Sequence, residues 1–163
     1  MDVVYTRRGF LPEPDPLRAF PAGSELAALD EIGTRLPDLL QDRDFRQYAR
    51  ELGIPAWPES LALPEHLPAL RLYYVRLGFL ASGYINQVGV PAANLLPENI
   101  AVPFVRACRL LERPPILSYD GYALYNWRRL NPEGPVALGT TSAGSSWCML
   151  KSKRLSLTSS AQP

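Results

Sequence analysis

The sequence has a single histidine, His66, and two cysteines, Cys108 and Cys148, among its 163 residues. One histidine excludes metal sites and catalytic dyads that need two. Two cysteines are too few for a disulfide framework or a cysteine-based zinc site, and their spacing matches no metal-binding motif. We therefore expect reduced thiols and neither a metal site nor a histidine-based catalytic centre in this chain.

Net charge and long apolar runs are also scarce. The chain has seventeen basic and sixteen acidic residues, which leaves a formal charge of +1. No overall electrostatic field therefore favours binding to nucleic acid or to an anionic membrane. The longest apolar stretches, such as 77–81, are far shorter than the roughly 20 residues needed to cross a bilayer. Residues 1–8 lack the apolar core of a secretory leader. The predicted location of the protein is the cytoplasm, and neither nucleic acid nor a membrane is expected as a partner.

Proline, by contrast, is abundant. The chain has 17 prolines, about double the usual frequency of roughly 5%, and they lie between runs of apolar periodicity. Proline lacks an N–H donor and disfavours helix at the residue before it. No apolar–polar alternation is long enough to predict a sheet. The pattern predicts an all-α domain of short-to-medium helices joined by proline-rich connections.

Apolar residues at helical spacing predict the positions of these helices. Ser24 and Asn99 have the side chains that cap helix N-termini, whereas Pro37 is expected to end the first helix. The segment 66–86 has the longest apolar pattern and is the predicted core, and its Gly78 and Gly83 would let another backbone approach closely. The predicted helices span 24–35, 44–52, 66–86, 99–111 and 116–127.

The candidate chemical groups favour structural roles. His66 begins the predicted core helix, where the helix dipole disfavours a charged imidazole, and it is interpreted as structural rather than as an iron ligand. Cys108 lies on an apolar helix face, as expected of a buried, unreactive thiol. The glycines are too isolated to form a phosphate-binding loop, so nucleotide chemistry is not indicated.

Aromatic residues concentrate in one short segment, which contains Tyr119, Tyr122, Tyr125 and Trp127. At helical spacing Tyr119, Tyr122 and Ala123 share a face. Composition favours a core helix whose tyrosines keep their hydroxyl groups at its edge. The alternative is the wall of an aromatic or cofactor pocket, and composition alone leaves both interpretations open.

Three blocks in the second half of the chain resemble a known family. They read LPENIAVP at 96–103, LERPPILSY at 111–119 and LYNW at 124–127. Their order and spacing are similar to those of the indoleamine 2,3-dioxygenase family, and LPDLL at 36–40 resembles the first domain of that family. The resemblance covers roughly residues 10–138 by the order of its elements.

The resemblance implies an all-helical enzyme in which a small N-terminal domain caps a larger domain that carries haem b. Family members use O2 to open the indole ring of L-tryptophan, which gives N-formylkynurenine and begins the kynurenine pathway of tryptophan catabolism. Tyr119, Tyr122 and Ala123 match the part of the distal-pocket wall that the small domain contributes. Tyr122 and Ala123 differ from the residues of better-known vertebrate members, so the resemblance does not extend to the pocket shape or the substrate preference of this chain.

The resemblance and the composition together predict a domain division. Residues 1–23 are expected to be extended, 24–138 to form the helical small domain, and 139–163 to be a serine-rich disordered tail. The family's proximal histidine and other catalytic residues come later than position 138 of this chain. The chain is therefore expected to be a truncated form, inactive alone and not retaining haem, that docks to a haem-bearing large domain. The alternative is a non-enzymatic helical module that binds a partner or regulates a full-length relative.

Overall fold

The computed structural model describes residues 15–61, 63–129 and 138–140. Helices dominate these ranges, which confirms the predicted all-α class. A single 3-10 turn, Glu25–Ala27, leads into the first α-helix. The α-helices are α1 (Ala28–Leu39), α2 (Phe45–Glu51), α3 (Leu67–Ile85), α4 (Glu98–Leu110) and α5 (Tyr119–Leu124). None of the helices within the described ranges is long and apolar enough to cross a membrane.

Helix α3 is the centre of the fold, as its apolar pattern predicts. It begins with Pro68 in its first turn, where the missing N–H costs no helical hydrogen bond. Twelve of its 19 residues are buried, which is typical of a helix that is apolar around its whole circumference. Helices α1, α2, α4 and α5 all contact α3. Every other helix is therefore positioned against this one scaffold.

Apolar side chains from α1 and α4 complete the core. Leu29 and Leu36 of α1 and Ile100 and Phe104 of α4 are almost completely buried. The Phe104 ring stacks on Tyr74 of α3, with 5.8 Å between the ring centroids. Each such side chain contributes about 1.5–3 kcal/mol when it leaves water, so packing against α3 dominates the stability of these helices.

The prediction that Pro37 ends the first helix is wrong, because α1 continues through Pro37 to Leu39. Leu36 and Leu40, on either side of the last turn, are both buried. Their burial in the core offsets the loss of one backbone donor near the end of the helix, where little helix remains to be disrupted. Packing therefore overrides the local preference of proline at this position.

Neither predicted cap makes a capping hydrogen bond. Ser24 lies directly before the 3-10 turn, but its hydroxyl makes no capping hydrogen bond. The N-cap position of α4 is occupied by Pro97 rather than by Asn99. The Asn99 side-chain amide instead donates to the backbone carbonyls of Ala49 and Leu52, both at 2.9 Å. Asn99 thus satisfies carbonyls at the C-terminal end of α2 that have no helical partner, and it joins α4 to α2.

The last predicted helix is too long. Helix α5 has six residues, and Trp127 belongs to a strand, β1 (Trp127–Arg129), that pairs antiparallel with β2 (Leu138–Thr140). Trp127 faces Thr140 across the pair. Strands of three residues are too short to produce a recognisable alternation, so the sequence does not predict them. The expectations for residues 1–14 and for the tail after Thr140, including Cys148, lie outside the described residues.

The glycines of α3 are close to side chains rather than to another backbone. A Cβ at Gly78 would lie 2.8 Å from Leu117 Cδ1, and one at Gly83 would lie 2.8 Å from Leu40 Cδ2. Another group does lie close to both glycines, as predicted, but it is a leucine side chain rather than a backbone. At Gly78 the neighbouring side chain comes from the segment that leads into α5.

Candidate wall of a binding pocket

One hydroxyl group of α3 makes several contacts with the segment that carries the predicted site. Tyr74 is fully buried, and its hydroxyl donates to the Ile116 carbonyl at 2.7 Å. The same oxygen lies 2.9 Å from Ser118 Oγ and accepts the Ser118 backbone N–H at 3.0 Å. This buried tyrosine fixes the backbone immediately before α5. We call residues 116–125 the wall segment.

A glycine lets α5 lie directly on the same tyrosine. A Cβ at Gly121 would be 2.7 Å from Tyr74 Cε1 and 3.2 Å from its hydroxyl oxygen, distances that a real side chain could not occupy without displacing its neighbour. The buried Tyr74 ring has little freedom to move in a close-packed interior. Glycine at this position therefore sets the distance between the wall segment and the scaffold.

A cationic cluster borders the wall segment. Arg113 pairs with the Asp120 carboxylate, and its guanidinium lies 5.7 Å from the Tyr74 ring centroid and 5.5 Å from that of Tyr125. Arg71 of α3 lies closer to the Tyr125 ring, at 4.4 Å. These distances are in the range of cation–π attraction. The charged groups thus connect α3, the loop after α4 and the wall segment.

The pKa of Asp120 reflects this environment. Burial alone would raise the pKa of the carboxyl, but hydrogen bonds from Ser118 and Arg113 and the charge of Arg113 outweigh it and lower the pKa below its ordinary value. Asp120 is therefore ionised at neutral pH and remains available as the partner of Arg113.

The predicted wall residues all lie on α5, but the structure describes them unequally. Tyr119 is 75% exposed, and Ala123 is half-buried. The side chain of Tyr122 lies outside what the structure describes. The six-residue helix places the three backbone positions together, and a common pocket face for their side chains stays a prediction.

The residues that hold the wall segment were not predicted from the sequence. Tyr74 has the pattern of an ordinary core residue, and nothing in the local sequence distinguishes its hydroxyl from that of Tyr73. Arg113 and Asp120 are seven residues apart and separated by two prolines, so no helical spacing links them. A charged residue on each side of a Pro-Pro turn is the only signal available, and it is a weak one.

The described groups that could ligate iron do not converge. His66 is half-buried just before α3. Cys108 is buried, and its burial raises the pKa of the thiol to about 11, so it is a protonated thiol, as predicted. Within the described ranges, no three His, Cys, Asp or Glu side chains are grouped closely enough to hold a metal ion.

Cavities of very different size lie beside the helices. An open groove of about 600 Å³ lies between α2 and α4, with Val102 and Pro103 in its wall and Arg50 and Arg106 at its rim. A space of about 20 Å³ lies beside Arg71 and Tyr125. Neither is lined by His66 or Cys108, and the second is far too small for a porphyrin. The described residues therefore do not fit a haem by themselves.

The family is decided by comparison with known sequences. The sequence model described as indoleamine 2,3-dioxygenase matches residues 3–153. The chain belongs to the indoleamine 2,3-dioxygenase family. This match confirms the resemblance seen in the sequence and extends it beyond residues 10–138 in both directions.

Individual relatives agree with this assignment. The chain is 33% identical over 131 residues to indoleamine 2,3-dioxygenase 2 of Mus musculus, which covers 80% of this chain and 31% of the relative. It is 39% identical over 106 residues to indoleamine 2,3-dioxygenase 1 of the same organism, covering 64% of this chain and 25% of the relative. The indoleamine 2,3-dioxygenase of Saccharomyces cerevisiae is 32% identical over 126 residues, which are 77% of this chain and 27% of that protein. The chain therefore spans about a quarter to a third of these relatives.

Proposed function

We propose that α5 of this chain forms one wall of a tryptophan-binding pocket in a haem-dependent dioxygenase. The family uses L-tryptophan and O2 and depends on haem. In this proposal Tyr119, Tyr122 and Ala123 contact the substrate, and a haem-bearing helical domain completes the pocket by docking against the wall segment. The reaction is the oxidative opening of the indole ring to N-formylkynurenine, as part of tryptophan catabolism in the cytoplasm.

The observation that carries the proposal is the exposure of Tyr119 on a segment that is otherwise firmly held. Tyr119 is 75% exposed and Ile116 is 58% exposed, although the backbone between them is bound to the buried Tyr74. A large aromatic ring at a fixed surface position is suited to stacking on a planar ligand or to packing under a second domain. An indole ring sandwiched between the two domains would use both properties.

Haem, when bound in the completed pocket, supplies the activation of O2 and the oxidation of the indole ring. None of the described residues is assigned as a ligand of the haem. The residues of α5 would orient the indole and keep water away from it. Tyr122 and Ala123 then set the shape of the pocket, so the preference among substituted indoles is expected to depend on them.

The test combines this chain with a separately produced haem-bearing domain of the mouse relative. We expect the chain alone to show no histidine-ligated haem spectrum and no N-formylkynurenine, and the mixture to form product. Tyr119→Ala should reduce product formation by the mixture about tenfold or more, which corresponds to the loss of a well-oriented contact of about 1.4 kcal/mol. Val102→Ala is the control, because Val102 is also a large exposed apolar residue, 58% exposed, but lies on α4.

Two results would contradict the proposal. A stoichiometric haem spectrum of the chain alone that disappears in His66→Ala would place the haem in this chain. Equal product formation by the Tyr119→Ala and Val102→Ala mixtures would show that Tyr119 does not contact the substrate.

A second candidate is a non-enzymatic helical module that binds a partner or regulates a full-length relative. It is favoured by further exposed apolar residues away from α5, above all Leu95, which is 82% exposed. Such surfaces often mark protein contacts. Strong binding of a hydrophobic dye that a full-length relative suppresses would support this role. A dye-silent monomer that does not associate with the relative would contradict it.

A further inference from the structure

The backbone position of Arg113 is determined by the end of α4. Its N–H donates to the Cys108 carbonyl at 2.8 Å, and the Glu112 N–H donates to the Arg109 carbonyl at 3.1 Å. Glu112 has a φ of 54°, the left-handed conformation that closes a Schellman motif. Glycine usually occupies this position, so a glutamate here accepts some backbone strain. Arg113 therefore starts from a rigid helix terminus that is itself packed on the scaffold.

From this terminus the guanidinium reaches four residues in different parts of the molecule. It pairs with Asp120 in α5, lies 3.5 Å from Ser118 Oγ before α5, and lies over the rings of Tyr74 in α3 and Tyr125 after α5. A planar guanidinium can donate to a carboxylate and stack on aromatic rings at the same time, which an ammonium group cannot do equally well. One side chain thus bridges α4, α3 and both ends of α5.

Helix α5 needs such a bridge. It has six residues, far fewer than the 12–15 at which an isolated helix becomes even marginally stable in water. Its position must therefore come from tertiary contacts. Its first residue, Tyr119, is largely exposed and offers little burial, so the polar contacts of its neighbours carry much of the restraint.

The Arg113–Asp120 pair also differs from an ordinary surface pair. The two side chains are 23% and 39% exposed. Arg35 and Glu31, by contrast, lie 3.7 Å apart on the surface of α1 and are 55% and 75% exposed. Exposed pairs of the second kind contribute little because water and salt screen them. The Arg35–Glu31 pair is therefore a matched control from the same chain.

We propose that Arg113 is a positioning residue that holds α5 against Tyr74 and thereby fixes the location of the Tyr119 ring. The use of that ring in a tryptophan pocket rests on the proposed function, whereas the holding of α5 does not. Loss of Arg113 should loosen the wall segment while α3 and α4 keep their structure.

Hydrogen–deuterium exchange of the full chain, followed by mass spectrometry, tests this directly. In Arg113→Gln we expect exchange of the 116–125 peptide to accelerate about tenfold, as local opening becomes easier. Exchange of peptides from α3 and α4 should stay within about twofold of wild type under the same conditions. Arg35→Gln should leave all three peptides unchanged.

Two further variants separate positioning from a general loss of stability. Asp120→Asn removes the partner charge without touching the end of α4 and should also accelerate exchange in the wall segment. Arg113→Lys retains the charge and should restore part of the protection. Unchanged exchange of the 116–125 peptide in both Arg113→Gln and Asp120→Asn would overturn the proposal. So would an equal acceleration of all peptides, because Arg113 would then be a general structural residue.

Hydrogen exchange and product formation together distinguish a failure of the positioning role of Arg113 from a failure of the proposed function. Faster exchange in Arg113→Gln, together with full product formation by the Tyr119→Ala mixture, would retain the positioning role and reject the pocket. Unchanged exchange together with impaired product formation by that mixture would retain the pocket and reject Arg113 as its positioning residue.

Discussion

Helix α3 and the wall segment are held in place by different forces. Helix α3 has 19 residues, of which twelve are buried, and contacts every other helix of the described chain. The wall segment contains a six-residue helix whose first side chain, Tyr119, faces outwards. Its contacts to the scaffold include the Tyr74 hydroxyl, the Arg113–Asp120 pair, close packing at Gly78 and Gly121, and Arg71 over the Tyr125 ring.

Because the two regions are held differently, the stability of the domain depends mainly on α3, whereas the wall segment can change position more easily. Apolar burial spread over many residues makes the position of α3 insensitive to any one polar contact. The wall segment depends on a few contacts, so single substitutions can move it without unfolding the domain. Functional groups are often carried in this way, on short segments that a rigid scaffold positions. In this chain the arrangement would allow the position of Tyr119 to change while the core remains the same.

The largest effect is expected in the scaffold. Leu77→Ala removes a side chain that is 0% exposed and leaves a cavity among α3's neighbours. We expect the free energy of unfolding to fall by about 2–5 kcal/mol, measured by urea denaturation and far-UV circular dichroism. Leu95→Ala is the control, because Leu95 is 82% exposed and its loss should change stability by no more than about 0.5 kcal/mol. Similar effects of the two substitutions would refute the view that burial on α3 dominates stability.

The next effect tests the close packing of the wall segment. In Gly121→Ala the new methyl group would lie 2.7 Å from Tyr74 Cε1, so α5 must move away from the scaffold. We expect a cost of about 1–3 kcal/mol from this overpacking, with faster hydrogen exchange in residues 116–125. Gly53→Ala is the control, since no atom lies within 4 Å of a Cβ built there. If Gly121→Ala leaves exchange in the wall segment unchanged, α5 is not set by this contact.

A smaller effect is expected from the hydroxyl that joins the two regions. Tyr74→Phe leaves the Ser118 N–H and the Ile116 carbonyl without their partner and should cost about 1–2 kcal/mol. Tyr73→Phe removes an equally buried hydroxyl that donates to Pro55 at 2.7 Å, outside the wall segment. Burial raises the pKa of Tyr73 to about 12, so its hydroxyl is a neutral donor at neutral pH. Only Tyr74→Phe should accelerate exchange in residues 116–125, and equal acceleration by both would show that the two regions are not separately held.

These two regions also differ in how well the sequence predicts them. The position and burial of α3 follow from its long apolar pattern, and α4 is predicted from apolar residues at helical spacing on one face. The family is predicted as well, because the order and spacing of the 96–103 and 111–119 blocks are similar to those of its members. The predicted burial of Cys108 is likewise confirmed, and burial raises the pKa of its thiol to about 11.

The details that depend on tertiary contacts are not predicted. Pro37 is accommodated because Leu36 and Leu40 are buried around it. Asn99 bonds to α2 instead of capping α4 because α2 presents free carbonyls at 2.9 Å. Arg113, which pairs with Asp120, follows directly after Glu112, and Glu112 takes a left-handed conformation that residue type alone would not suggest. Each of these outcomes depends on packing and backbone geometry that the local residue types do not show.

The smallest effect concerns acid sensitivity of the wall segment. The pKa of Asp120 is lowered in the folded chain, since hydrogen bonds from Ser118 and Arg113 and the Arg113 charge outweigh burial. Such a group stabilises the fold fully above the ordinary carboxyl pKa of about 3.9, and this contribution is lost as pH falls through the lower folded value. Because Asp120 is partly exposed, we expect the contribution to be below about 1 kcal/mol.

The measurement is the difference in unfolding free energy between wild type and Asp120→Asn across a series of pH values. The difference should be constant from pH 7 down to about pH 4 and shrink below it, as the wild-type carboxyl becomes protonated. Glu31→Gln, which breaks the exposed pair with Arg35, should show a smaller difference throughout. An Asp120→Asn difference that is zero at neutral pH would contradict an ionic role for Asp120, and the wall segment would then depend on Tyr74 and packing alone.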